Sequence, residues 1–449
     1  MAVVNPATGE HLTSCPRADR SQLEEAVQSA KRAFPAWSAT PITQRKAALL
    51  ALADALSARK AHFARVLTEE QGKPLGDAEA EVAESVGLLR GFAGMELSPG
   101  ILRDTETDFI VQHDAPLGVV AVITAWNFPL WLLMVKLAPA LLAGNTVVAK
   151  PAPTTPLSTL LFGELCAQFL PAGVCNVITD QNDLGDALTA HPDIAKITFT
   201  GSTQTGRKVM AQAAGTLKRL TLELGGNDPA IILDDTDAKE IAGKVFAGSM
   251  INAGQLCTAI KRAYVPVHMY DVVCEELARL ADQVVVGDGM DAATEMGPLQ
   301  NNAHFDRMKS LLEDSYKEGK VVAGGHVLDG PGYFIRPTVV RDIADDARLV
   351  RDEQFGPILP VLSYRTIEEA VARANDSVYG LTATVWGRDT TRALEVARQL
   401  ECGTVWVNRH LDLPMDIAVG GVKQSGVGLE LGAEGLREFT QRRVVSLGR

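Results

Sequence analysis

Five short stretches carry side chains suited to chemistry. NAGQLCTAIKR, residues 252–262, sets Cys257 among small and polar neighbours just ahead of a predicted strand. Its thiolate would be a nucleophile, yet the nearest histidine in sequence is His268, so no local Cys–His dyad is suggested. The plain alternative is one more small packing residue. LELGGNDP places Glu223 at the end of a predicted strand, before Gly225 and Gly226. A carboxylate in so apolar a stretch is either paired or functional, because desolvation lifts its pKa toward the range a general base needs. WNFP, residues 126–129, ends another strand with Asn127. An amide there suits a developing oxyanion, and it suits a turn before Phe128 and Pro129 as well.

Two further stretches could hold phosphate or ribose. VVAKPAPTTP puts Lys150 at the carboxyl end of a strand, where open parallel sheets bind ligands. A solvated strand-end lysine is the other reading. FTGSTQTGR, residues 199–207, lies between a predicted strand and a predicted helix. Gly201 and Gly206 permit close backbone approach, while Ser202 and the helix N-terminus offer donors to a pyrophosphate. The spacing is not GxGxxG, so alone it reads also as a tight strand-to-helix turn.

The elements that must position these residues follow a clear order. The first hundred residues read as helical, with a capping-box pattern at Ser21 to Glu24 and amphipathic runs at residues 43–71 and 77–96. TDFIVQHDAPLG then alternates like a protruding hairpin strand. From Gly118 onward GVVAVIT, NTVVAK, VCNVIT and IAKITFT alternate with helical stretches. Such units imply a parallel sheet covered on both faces. A second α/β region begins after Asp228, with candidate strands AYVPV, GKVVAG, IRPTVV, PILPVLSY, TATVW and GTVWV. REFTQRRVVSL at the end reads as an isolated strand that needs a neighbouring sheet, in this subunit or another.

At 449 residues the chain exceeds one ordinary core, so two or three domains are expected. A net charge of −12 disfavours nucleic-acid or anionic-membrane partners. The most apolar segment, residues 128–143, is interrupted by Lys136 and Pro139 and is too short to span a bilayer. The N-terminus shows no charged n-region followed by an apolar h-region. The six cysteines form no CxxC pair or regular framework, which suits a reducing, cytoplasmic setting. No HExxH or clustered Cys/His set appears, so no metal site is expected.

Taken together, WNFP, VVAKP, FTGST, LELGG, GQLCTA, DEQFGP and GGVKQSG, in this order, resemble the NAD(P)-dependent aldehyde dehydrogenase superfamily. The resemblance runs from NPATGE at Asn5 to the terminal strand. It implies an α/β, aldehyde dehydrogenase-like fold with two doubly wound domains and a small β oligomerisation arm. The cofactor-binding domain would take residues 1–102 and 118–225, the catalytic domain 226–428, and the arm 103–117 and 436–449. It implies a homodimer or homotetramer acting on a small-molecule aldehyde with NAD, or NADP, as cofactor.

The resemblance also implies roles. Cys257 would add to the aldehyde carbonyl, and its backbone amide with the Asn127 side chain would hold the oxyanion. Glu223 would activate the water that hydrolyses the thioester and help deprotonate Cys257. Lys150 would meet the adenosine ribose, Gly201 and Ser202 the pyrophosphate, and Glu353 with Phe355 the nicotinamide ribose. Gly225 and Trp126 would line the cofactor cleft. Glu430, in GLELG, matches a second acidic residue proposed as a proton relay, and reads equally as a salt-bridge partner. Phe128, Leu132, Val135, Leu256 and Thr258 would wall the substrate tunnel.

Three departures from the family pattern stand out. Pro153 occupies the position where NAD-preferring members often carry Glu, which leaves NAD against NADP open with a lean to NAD. Ala418 and Val419 replace the usual Pro-Phe before the glycine pair, which reshapes the tunnel. The chain also starts where many relatives already have an extra strand pair. Val135 stands where semialdehyde-carboxylate enzymes can carry Arg, so the wall favours a neutral aliphatic or aromatic aldehyde. Arg409 and His410 could still bring charge to the tunnel mouth. The rival readings are a CoA-acylating or thiol-esterase activity at the same cysteine, and a non-catalytic binding protein on this fold.

Overall fold

Short β-branched runs bounded by turn residues become the strands of separate sheets. The computed structural model describes residues 1–449. The first large sheet has the order Gly426–Val427, Arg219–Glu223, Ile194–Thr200, Val119–Ile123, Thr146–Lys150, Cys175–Val177. All pairings are parallel except that of the edge strand Gly426–Val427. Along Val119–Ile123 successive side chains enter two different cores. Val120 and Val122 pack with helices Ile42–Ala58, Leu75–Gly94 and Pro129–Ala143; Val119, Ala121 and Ile123 pack with helices Arg20–Ala39 and Thr203–Ala213. Both faces are covered, which is why the strand reads as an unbroken apolar run.

The chain runs outward through Thr146–Lys150 and Cys175–Val177, then returns to lay Ile194–Thr200 on the other side of Val119–Ile123. The carboxyl ends of Val119–Ile123 and Ile194–Thr200 therefore flank a crevice at the switch in strand order. Asn127 follows the first of those ends, and Ser202 the second.

The second large sheet has the order Lys320–Ala323, Thr338–Arg341, Ile358–Tyr364, Ile260–Pro266, Asp228–Ile232, Thr382–Trp386, Thr404–Val407. Only its edge strand Lys320–Ala323 runs antiparallel. Asp228–Ile232 begins just beyond Arg219–Glu223. Glu223 thus sits where the chain passes from one sheet to the other.

Several elements differ from the sequence reading. The first hundred residues are not all helical, because Ala2–Val4 and His11–Ser14 form an antiparallel hairpin. Asp19, not Ser21, caps the first helix: it exchanges hydrogen bonds with Gln22 at 2.9 and 3.0 Å. The expected single run at residues 43–71 breaks at Arg59 into helices Ile42–Ala58 and Lys60–Gln71. The terminal strand finds its neighbour in its own chain. Thr440–Gly448 pairs antiparallel with Asp108–Pro116 along its whole length, and Gly100–Asp104 completes that three-stranded sheet. No helix is long and apolar enough to cross a membrane.

Candidate active site

A cavity of about 670 Å³ takes walls from both large sheets, with Thr200 and Glu223 on one side and Thr382 and Thr404 on the other. Cys257 reaches it on a loop shaped by three consecutive left-handed residues, Asn252, Ala253 and Gly254, with φ of 50°, 55° and 70°. Only glycine fits the last position, since a Cβ there would stand 2.3 Å from the Gly356 carbonyl oxygen. The buried Lys261 secures the loop by donating to the carbonyls of Leu256 at 2.9 Å and Cys257 at 2.5 Å.

Burial pushes the Cys257 thiol well above its ordinary pKa, the charge of Glu223 adds to this, and Lys261 opposes it. The resting group is therefore a thiol, which needs a base. Glu223 lines the same cavity, close enough for its charge to act on that thiol. Burial first, and the charge of Glu430 second, push Glu223 up to about 8, while Lys136 pulls it back. A carboxyl poised there can give and take protons near neutral pH.

Asn127 is buried beside them. Its Nδ2 donates to the Gln255 carbonyl at 3.1 Å, and its own carbonyl accepts from Lys73 Nζ at 3.0 Å. An amide carries two N–H donors, so one remains for the cavity. The backbone N–H of Cys257 has no protein acceptor either.

The residues expected to meet a cofactor fall into two groups. Trp126, Gly201, Ser202, Gly225, Glu353 and Phe355 all line the cavity. Ser202 caps helix Thr203–Ala213 by accepting from the Thr205 N–H at 3.2 Å. Glu353 accepts from the Gly226 N–H at 3.0 Å, and a Cβ on Gly225 would stand 2.3 Å from its Oε2. Phe355, with φ 55°, lies edge-on to Trp126 at 5.4 Å. Lys150 stands outside this cavity, at the end of Thr146–Lys150, paired at 2.7 Å with the buried carboxylate of Asp180.

The tunnel residues also divide. Phe128, Leu132, Leu256 and Thr258 line the cavity, but Val135 does not. It is 1 % exposed and belongs to the helical core. Every residue of Pro129–Ala143 except Trp131 is buried, so helical spacing from Leu132 could not decide which side chain faces the cavity. Arg409 and His410 bring no free charge to the mouth. Arg409 pairs with Asp412, while burial pushes His410 down to about 4 and its Nδ1 lies 2.9 Å from Thr384 Oγ1. The charged group lining the cavity near helix Leu75–Gly94 is Glu84. Glu430 lines the cavity as half of a buried ion pair, 2.5 Å from Lys136 Nζ.

Other lining residues gave no sequence signal. Trp131, Leu88, Met415 and Val419 shape the apolar end, though the loss of Phe at position 419 had hinted at the last of these. His304 sits beside Trp126 and Phe355, with Nε2 2.7 Å from the Phe355 carbonyl. Burial pushes it down to about 4, so it is neutral and donates through Nε2.

The two parallel-rich sheets and the cavity walled by both, with a cysteine and a carboxyl in its lining, define an α/β enzyme. The family model described as the aldehyde dehydrogenase family matches residues 1–445, and the chain belongs to that family. The phenylacetaldehyde dehydrogenase of Pseudomonas fluorescens is 39% identical over 458 residues, spanning 98% of this chain and 91% of that protein. The betaine aldehyde dehydrogenase of Staphylococcus aureus, solved in complex with NAD+, matches with a TM-score of 0.96 at 32% identity, covering 99% of this chain and 91% of that one. An NADP-dependent enzyme of E. coli matches with a TM-score of 0.97 at 34% identity, covering 100% and 94%.

Proposed function

We propose that the protein oxidises a neutral aliphatic or aromatic aldehyde to the carboxylic acid through an acyl-enzyme on Cys257. The observation that carries this reading is that Cys257, Asn127 and a Glu223 carboxyl pushed up to about 8 line one cavity. Charged Glu223 takes the thiol proton, and Sγ adds to the carbonyl carbon. The oxyanion so formed accepts from the Cys257 N–H and from Asn127 Nδ2. Nicotinamide dinucleotide, when bound, supplies the acceptor for the adduct's hydride. The chain then holds a thioester. Glu223 first gives up the thiol's proton to solvent, then takes a proton from water as the water oxygen attacks the acyl carbon; the C–S bond breaks, the acid departs, and the Cys257 sulfur recovers that proton from Glu223.

The residues fit such a dinucleotide. The Thr200 hydroxyl is buried on the cavity wall without a partner, next to the helix N-terminus behind Ser202. Glu353, Phe355 and Trp126 would hold the nicotinamide ribose end, and Lys150 the adenosine ribose. NAD is the favoured form, with NADP use open because Pro153 offers no carboxylate. The Staphylococcus and E. coli proteins illustrate both choices on this fold.

The apolar wall of Leu88, Trp131, Leu132, Leu413 and Met415 supports an uncharged substrate, as does the likeness to a phenylacetaldehyde dehydrogenase. Val444, Val445, Leu447, Ile101 and Leu102 are exposed on the three-stranded sheet, which supports assembly into homo-oligomers through that arm. Six unpaired thiols suit a cytoplasmic setting. The test is absorbance at 340 nm with an aldehyde panel and both coenzymes, with and without coenzyme A. Turnover independent of coenzyme A and abolished by iodoacetamide is expected. Full turnover after stoichiometric alkylation of Cys257 would overturn the reading.

A further inference from the structure

We infer that the buried Lys73–Glu81 ion pair is a positioning device for Asn127, one that holds the oxyanion donor in register with Cys257. The inference rests on the role given to Asn127 above. Neither Lys73 nor Glu81 lines the cavity, so neither touches substrate. Lys73 lies between helices Lys60–Gln71 and Leu75–Gly94, and Glu81 lies within the second. Both side chains are fully buried, with Nζ 2.5 Å from Glu81 Oε2.

Every other side-chain bond of the pair ends on one short segment. Lys73 Nζ donates to the Asn127 carbonyl at 3.0 Å and stands 3.6 Å from the centroid of the Phe128 ring. Glu81 Oε1 accepts from the N–H groups of Leu130 at 3.0 Å and Trp131 at 3.2 Å. A cation therefore grips the carbonyl of Asn127, and its anion grips the first turn of helix Pro129–Ala143 just beyond. The peptide units between cannot rotate without breaking a charge-assisted bond.

A second set of bonds joins this segment to the nucleophile loop. Asn252 Nδ2 donates to the Asn127 carbonyl at 3.1 Å and to the Gln255 carbonyl at 3.3 Å. Asn127 Nδ2 donates to the same Gln255 carbonyl at 3.1 Å. Gln71 Nε2, near Lys73 in the chain, supports Asn252 Oδ1 at 3.1 Å. The Asn127 carbonyl is thus held from the helical side by Lys73 and from the Cys257 side by Asn252.

Stability alone gives little reason for such a pair. Well-packed apolar residues of similar volume often serve a core as well as a buried ion pair does. What the charges add is direction, and here all of it is aimed at the Asn127 turn. An oxyanion donor displaced by about 1 Å can cost on the order of a hundredfold in rate.

The test is a mutant cycle on kcat/KM for aldehyde. Lys73→Met alone would strand a buried carboxylate, so the variant to assay is Lys73→Met with Glu81→Gln. Glu81→Gln by itself, which keeps volume and one acceptor oxygen but leaves the buried Lys73 ammonium without its anion, runs alongside as a second arm, with its Tm measured so that loss of fold is told from loss of rate. Each is made with Asn127 intact and with Asn127→Ala. With Asn127 present, loss of the pair is expected to lower kcat about tenfold or more, with KM for coenzyme little changed. With Asn127→Ala the same change should cost less than about twofold, because the donor it positions is gone. The rate of Cys257 alkylation by iodoacetamide should stay within about twofold throughout. Equal losses in both backgrounds, or no loss with Asn127 present, overturn the inference alone. A fully active Asn127→Ala enzyme overturns the oxyanion reading and the inference with it.

Discussion

Glu430 meets the buried ammonium of Lys136 at 2.5 Å, and both charges act on Glu223. The carboxylate raises the Glu223 pKa and the ammonium lowers it. Glu430→Gln removes the first influence and leaves the second. Glu223 then ionises more readily, and the rising limb of kcat against pH should move to lower pH by on the order of one unit. The same variant should lose about 3 kcal/mol of stability, because a buried ammonium is left without its anion. A pH profile that overlays the parent's would show that Glu223 does not set the limb.

Glu223→Gln removes the base from both acylation and hydrolysis. The first equivalent of reduced coenzyme per site should appear more slowly than in the parent, because the Cys257 thiol has lost its proton acceptor. Steady turnover should then fall by about 10²–10⁴. Stopped-flow absorbance at 340 nm reads both phases, and undiminished steady turnover would remove Glu223 from the mechanism.

The same carboxyl makes a prediction about stability. Its pKa is raised on folding from about 4.5 to about 8, so the folded chain keeps a proton that the unfolded chain loses. Its contribution to stability is therefore full below pH 4.5 and is lost as pH rises through about 8. Glutamine has no such loss. The Tm gained by Glu223→Gln should be larger at pH 9 than at pH 5, as differential scanning fluorimetry can check.

Val419 and Val135 make a matched pair of tests for the tunnel. Val419 faces the cavity, and its backbone is fixed by reciprocal 2.8 Å bonds with Glu430, so a new side chain there changes shape without moving the chain. Val419→Phe should lower kcat/KM for phenylacetaldehyde about tenfold relative to acetaldehyde. Val135→Ala should cost about 1–3 kcal/mol of stability and leave the substrate ranking as it was.

Asp180 neutralises Lys150 at 2.7 Å, at the end of the first sheet where the adenosine would lie. Asp180→Asn keeps the size and frees the ammonium to meet a 2′-phosphate. The ratio of kcat/KM with NADP to that with NAD should rise about tenfold. An unchanged ratio would place coenzyme choice elsewhere.

Much of this molecule was legible in one dimension. Most strands of the two large sheets declared themselves as short apolar runs between turn residues, though Asp228–Ile232 and the edge strand Gly426–Val427 did not, and Asn127, Glu223 and Ser202 each stand at or just after the end of such a run. Their position follows from local rules, because a strand's carboxyl end fixes where the next few residues begin. Boundaries set by competition between neighbours were less legible. Asp19 and Ser21 are both good helix caps, and only the reciprocal bonds with Gln22 chose between them.

The tertiary structure alone decided the partners. Lys136 and Glu430 are 294 residues apart in the chain, Glu81 and Leu130 are 49 apart, and no periodicity links either pair. It also turned Val135 into the core and Trp131 toward the cavity on a helix that is apolar around almost its whole circumference. Sequence determined that a carboxylate would end a strand, that an amide would follow one and that a cysteine would precede one, since backbone preferences act over a few residues. Which charges surround them, and therefore that Glu223 rests near pH 8, is a property of burial and distance that exists only once the chain has folded.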